Sequence, residues 1–175
     1  MWTLAARIAT AAISIGLALS GCGEHVSHPM PSSQARAQVV DAARDIVTAL
    51  HAEVTEATFS YESCNDQGEA PFRGVVNLSF WLPGIPHNQP VDSQSVIKGL
   101  VADGWSTDSD FKSHGPTLKK NGVNTILTIA PTPPPSVSLV RHVGADINGE
   151  CRDTTDHRTD GSTAPVDISQ EIRQP

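Results

Sequence analysis

No apolar stretch in this chain is long enough to cross a bilayer. The longest, Ile8 to Leu19, runs for about 12 residues, where a spanning helix needs roughly 20. Positive charge is also short: 12 Lys and Arg stand against 19 Asp and Glu, a formal net charge of −7. An acidic chain argues against nucleic acid as a partner and against electrostatic docking on anionic lipid. Catalytic signatures are missing as well. There is no Gly-x-Ser-x-Gly elbow, no glycine-rich phosphate loop and no paired Cys-x-x-Cys. The acidic stretch Asp108, Ser109, Asp110 with His114 lacks the Gly and the closing Glu of an EF-hand. As a Ser/His/Asp set or a hydrolase site it rests on residue types alone. The chain thus implies no cofactor, no metal and no enzymatic activity.

What is present begins with Leu19-Ser20-Gly21-Cys22. One basic residue, Arg7, precedes the apolar run, and small residues lead into a single Cys. The run reads as the core of a secretory signal. Its end resembles a bacterial lipobox, in which the Cys sulfur is acylated (palmitate is one such chain) and becomes the new N-terminus. The expected organisation is a lipoprotein signal peptide at 1–21, lipidation at Cys22, and export to the outer face of the cell membrane. Two or more acyl chains hold a protein firmly to a bilayer. The membrane is then the first partner, and a protein of the cell envelope a second.

Only three cysteines occur. With Cys22 assigned to lipid, Cys64 and Cys151 remain, and in an exported protein their pairing is the simplest arrangement. A catalytic Cys with a His partner is the competing reading, without a local signature.

Residues 22–36 read as a flexible tether rich in Ser, Pro and Gly, where His25 and His28 make a poor metal site. A single α+β domain is expected over 37–152. Val39, Val40, Ala43, Ile46, Val47 and Leu50 recur at helical steps across Ala37 to Glu53. Strand signals follow at Glu56–Ser63 and Phe72–Leu82, where Val76, Leu78, Phe80 and Leu82 share a face. A second helix covers Pro90 to Asp103, with Gly104 as its C-terminal cap. Asn121-Gly122 between two β-like runs marks a type I′ hairpin, whose central residues both need positive φ. Pro131–Pro135 is a stiff connection, with a polyproline II ligand as the alternative. The last strand is expected at Val137–Ile147, its apolar face interrupted by Arg141. Residues 153–175 read as a polar, mobile tail. Within it Asp153, Asp156, His157 and Asp160 make a weak metal candidate.

The order α-β-β-α-β-β-β implies one antiparallel sheet of about five strands with two helices on one face. Asn77, Ser79, Trp81 and Ser138 fall on the other face, suited to solvent or a ligand. The densest polar cluster, Asn65, Asp66, Gln67 and Glu69 beside Cys64, with Glu150 and Arg152 beside Cys151, is a candidate recognition surface. The alternative role is a small-ligand carrier or sensor with a pocket between helices and sheet, lined by Trp81, Trp105 and Phe111.

Three blocks also carry a family resemblance: Ser63-Cys64-Asn65-Asp66-Gln67-Gly68, Thr117-Leu118-Lys119-Lys120-Asn121-Gly122-Val123, and Gly149 through His157. In this order they resemble the LppJ-type lipoproteins of mycobacteria. The resemblance covers most of 37–157. It implies a lipid-anchored envelope protein and agrees with the Cys64–Cys151 pairing. It brings no catalytic residues. The Pro133-Pro134-Pro135 loop departs from it.

Overall fold

The computed structural model describes residues 26–109, 111–130 and 139–173. Helix α1 (Ser32–Leu50) leads into strands β1 (Glu53–Ser63) and β2 (Phe72–Trp81), then helix α2 (Ser93–Ala102). Strands β3 (Thr117–Lys120), β4 (Val123–Ile129) and β5 (Val143–Asn148) follow, and the chain closes with β6 (Val166–Asp167) and α3 (Ser169–Arg173). The strands form one antiparallel sheet in the order β3-β4-β5-β2-β1-β6. The α+β class is as expected, with a sixth strand and a third helix added.

The apolar stripe of α1 explains the packing. Val39, Val40, Ala43 and Ile46 are buried against Phe59, Val76, Leu78, Phe80 and Ile147 of the sheet. Gly74 on β2 lets the helix approach closely, because a Cβ there would lie 2.6 Å from the Ala35 carbonyl oxygen. Gly74→Ala is therefore expected to destabilise the domain by about 1–3 kcal/mol, the usual cost of overpacking. A urea denaturation midpoint equal to wild type would show that α1 is free to shift. Asn121 (φ 50°) and Gly122 (φ 81°) form the β3–β4 turn as expected, and Gly104 (φ 96°) follows the end of α2.

Three expectations are corrected. The 22–36 segment is not a tether throughout. Met30 is 5% exposed, its amide donates to the Arg152 carbonyl at 2.8 Å, and α1 starts two residues later. Met30 is a lone apolar residue among Ser and Pro, so no period announced its burial.

The strand expected at Val137–Ile147 begins only at Val143 and is followed by β6, so Arg141 lies outside it, while Val137, Ser138 and the proline run fall outside the described residues. Residues 153–173 are packed on the domain and do not behave as a polar extension. Strand β6 pairs with Thr58 and Phe59 of β1, and Ile168 and Ile172 are buried. Arg36 of α1 grips Glu171 of α3 with two hydrogen bonds, at 3.0 and 2.6 Å. Two apolar side chains and a set of polar contacts do the docking, which composition alone does not reveal. Among the described residues no helix is long and apolar enough to cross a membrane.

Candidate functional site

Cys64 and Cys151 form a disulfide that joins the end of β1 to the segment after β5. The six residues of the expected recognition surface gather at this end of the sheet. Four of them are engaged locally. Asn65 Oδ1 accepts from the amides of Gln67 (3.1 Å) and Glu69 (3.2 Å), and its Nδ2 donates to two carbonyls of the same loop. Such side-chain bonds organise turns. Glu69 accepts from Arg158 at 3.0 Å. Glu150 accepts from Gln38 (2.9 Å) and Arg152 (3.2 Å), and Arg152 Nε donates to the His28 carbonyl at 2.7 Å. The side chains of Asp66 and Gln67 alone stand without such partners among the described residues.

Of the acidic tail set, Asp153, His157 and Asp160 converge, while Asp156 turns to Arg158 at 2.7 Å. His157 Nε2 lies 2.9 Å from Asp153 Oδ2 and Nδ1 lies 2.7 Å from Asp160 Oδ2. The ring stacks on Tyr61 with centroids 4.0 Å apart. The His157 and Asp153 side chains are 4% and 0% exposed, so the solvated reading of this segment is overturned.

Burial opposes protonation of His157, but the two carboxylates outweigh it and raise its pKa. Burial likewise opposes ionisation of Asp153, yet the bonds from His157 and Thr155 hold its carboxyl below the usual range. Hydrogen bonds from Ser162, then from His157, bring Asp160 down to about 2. Ser162 Oγ sits 2.8 Å from His157 Nδ1, a spacing that suggests a nucleophile and its base. An imidazole held as a cation has no lone pair for the serine proton, and Ser162 Oγ donates to Asp160 at 2.6 Å instead. The cluster works as a lock between the tail and β1.

The three aromatics expected in one pocket do not converge. Trp81 stacks on His87 at 4.0 Å, and Phe111 lies under the Arg73 guanidinium at 5.5 Å. Trp105 borders a hollow of about 300 Å3 between α1 and the β3–β4 turn. There its Nε1 donates to Asp45 at 2.9 Å, and Lys120 bridges Asp45 (2.7 Å) and Asp103 (2.8 Å). The charges of this hollow that come from Asp45, Lys120 and Asp103 are spent on one another. His114 and Asp108 do not meet in a catalytic set, and Asp110 lies outside the described residues.

The open face of the sheet is different. Across it Glu56, Ser79, Gly144 and Thr128 stand in one row, and Thr58, Asn77, Asp146 and Ile126 in the next. These rows floor a groove of about 280 Å3 whose rim includes Arg141. Because β5 begins only at Val143, Arg141 leaves the apolar face and swings over Gly144, its Nε 2.8 Å from where a Cβ would stand. Among the described residues neither its guanidinium nor the carboxylates of Glu56 and Asp146 make a hydrogen bond or ion pair. Burial in the groove pushes the Asp146 carboxyl up, and Arg73 partly offsets this. Asn77 and Ser79 were legible as open-face residues, whereas Arg141 and Asp146 were not recognised as members of a site. The signal available for Arg141 was a cation interrupting an apolar alternation.

The chain matches the family profile described as "Putative lipoprotein LppJ" over residues 31–171. It is 37% identical over 152 residues to proteins of that name in two strains of Mycobacterium tuberculosis and in Mycobacterium bovis, covering 85% of this chain and 74% of theirs. No solved structure matches the chain significantly.

Proposed function

Because the chain belongs to the LppJ lipoprotein family, we propose that it is anchored to the outer face of the cell membrane by acyl chains on Cys22 and serves there as a non-enzymatic binding module, with the open-face groove as its contact surface. The observation that carries the groove is the contrast in charge pairing. Asp45, Asp103 and Lys120 beside the helix hollow, and Glu150, Arg152 and Glu69 at the disulfide end, are bound to protein partners. In the groove Arg141 makes no hydrogen bond or ion pair among the described residues, whereas Asp146 lies within reach of the Arg73 charge. The half-buried Arg141 guanidinium thus keeps its donors for a partner in trans.

The docking of Met30 adds an orientation. Four Cα steps separate Cys22 from Val26, which lines a hollow with Cys64, Pro71 and Cys151. Four such steps reach at most about 14 Å. The disulfide end then faces the bilayer, and the groove stands farther up the sheet.

Nitroxide labels on Asp66→Cys and Asn88→Cys in the acylated full chain, reconstituted in vesicles carrying a lipid-bound nickel chelate, test this reading. Asp66 lies at the disulfide end of β2 and Asn88 beyond the opposite end, and the strand itself runs for about 30 Å at roughly 3.3 Å per residue. Stronger relaxation at position 66 is the expected result. Equal relaxation at both positions overturns the orientation. Failure of the chain to enter vesicles at all overturns the anchor.

A further inference from the structure

At the disulfide end of the sheet lies a second hollow, of about 320 Å3. Three segments furnish its wall: β2 with Arg73, β4 with Asn124, and the stretch after β5 with Arg152. Arg73 is four-fifths buried, yet its guanidinium makes no hydrogen bond among the described residues. Nη2 lies 3.7 Å from Glu62, beyond hydrogen-bond reach, and the buried Nε has no partner. Phe111 lies against the guanidinium, a contact that leaves its in-plane donors unused. A buried donor left unmatched is costly and rare in native folds. Asn124 is 8% exposed. Its Oδ1 accepts from Ser109 at 2.8 Å, which fixes the amide and leaves Nδ2 as a donor without a partner among the described residues. Arg152 spends Nε on the His28 carbonyl and Nη1 on Glu150, and its Nη2 is likewise unmatched there. Glu150, the acid on this wall, already accepts at Oε2 from Gln38 and Arg152.

From this set of donors we propose that the hollow binds a dianionic phosphate, inorganic or as a phosphomonoester, held by Arg73, by Nδ2 of Asn124 and by Nη2 of Arg152. None of the three residues borders the open-face groove, so the site goes beyond the contact surface described above. In a chain of net charge −7, two arginines beside one engaged acid reverse the local sign, and the ligand they suit is an anion. Guanidinium forks fit carboxylate and phosphate alike, so the layout of donors decides between them. Donors from three segments face a phosphate that presents three acceptor oxygens in different directions, whereas a carboxylate presents two in one plane. Glu62 and Asp146 also act on Arg73, but neither borders the hollow.

The test is chemical-shift titration of the isotope-labelled, acylated full chain in a phosphate-free maltoside detergent at constant ionic strength. The probes are inorganic phosphate, methyl phosphate, dimethyl phosphate and acetate. The expected result is saturable shifts at the Asn124 side-chain amide and the Arg73 Nε–H with the first two, the tighter of them telling free ion from ester. Dimethyl phosphate and acetate should bind at least about tenfold more weakly, a factor worth 1.4 kcal/mol. Arg73→Gln should fold, since it breaks no hydrogen bond, and should weaken phosphate binding about tenfold or more. Asn124→Asp keeps an acceptor for Ser109, removes the donor and should weaken it as much. Inorganic phosphate should raise the thermal midpoint of the wild type by mass action and leave that of Arg73→Gln unmoved. Acetate or dimethyl phosphate binding as tightly as phosphate overturns the phosphate assignment. Silence of both side chains toward every probe, or phosphate binding that survives both substitutions, overturns the site. The groove is judged apart from this, because neither substitution touches it.

Discussion

Replacing Asp153 with alanine is expected to cost about 3–5 kcal/mol, the range for removing one partner of a buried ion pair. The substitution leaves the His157 cation buried with Asp160 as its remaining acid. It also removes the acceptor for the Thr155 amide, at 2.8 Å. Since domains of this size hold on the order of 5–15 kcal/mol in total, the loss is a large share, and urea denaturation measures it directly. The pH dependence carries the same signature. His157 has a raised pKa in the folded chain. Its stabilisation is fully present below its ordinary value near 6.5 and lost as pH rises through the folded value. Asp153 is lowered, so its contribution is present above the ordinary value near 3.9 and lost as pH falls. Wild-type stability should therefore be greatest between about pH 4 and about pH 6.5 from this pair, declining on both sides. In Asp153→Ala the decline toward pH 9 should shrink, because the larger stabiliser of the cation is gone. An undiminished decline would mean that His157 is neutral in the fold.

The second large effect is expected from the disulfide. Changing both Cys64 and Cys151 to serine frees a loop with a sequence separation of 87. For native bridges in exported domains the loss is about 2–5 kcal/mol. The bridge also holds the place where Met30 and Phe72 bond to the backbone of Arg152 and Asp153. Reductant should lower the thermal midpoint of the wild type and leave that of the double serine variant unchanged. A wild type indifferent to reductant would mean that local contacts such as Asn65 and the Arg158–Glu69 pair hold that end unaided.

Much of the scaffold was legible because local chemistry and tertiary structure agree. The three- and four-residue steps of α1, the alternation of β2 and the Asn121-Gly122 turn each answer to one physical rule, and each lies where that rule puts it. The C-terminal segment was not legible for a different reason. Its attachment depends on Arg36 meeting Glu171 across 135 residues and on an imidazolium between two carboxylates. Hydropathy reads such residues as solvated. The groove was half legible. Asn77 and Ser79 follow from strand alternation. Their neighbours Gly144 and Asp146 follow only from the insertion of β5 between β4 and β2, a non-consecutive pairing that no local signal encodes. The recognition surface inferred beside Cys64 and Cys151 did come together in space. Most of its polar groups turned out to be joined to the chain's own backbone and charges.

The central claim is an exported domain held by lipid at Cys22 and closed by one disulfide. Intact mass of the membrane-extracted protein, alkylated with and without prior reduction, tests it most directly. The account predicts a mature chain beginning at Cys22 with acyl mass on it, and two thiols that alkylate only after reduction. A chain without acyl mass, or with Cys64 and Cys151 alkylated before reduction, would contradict it.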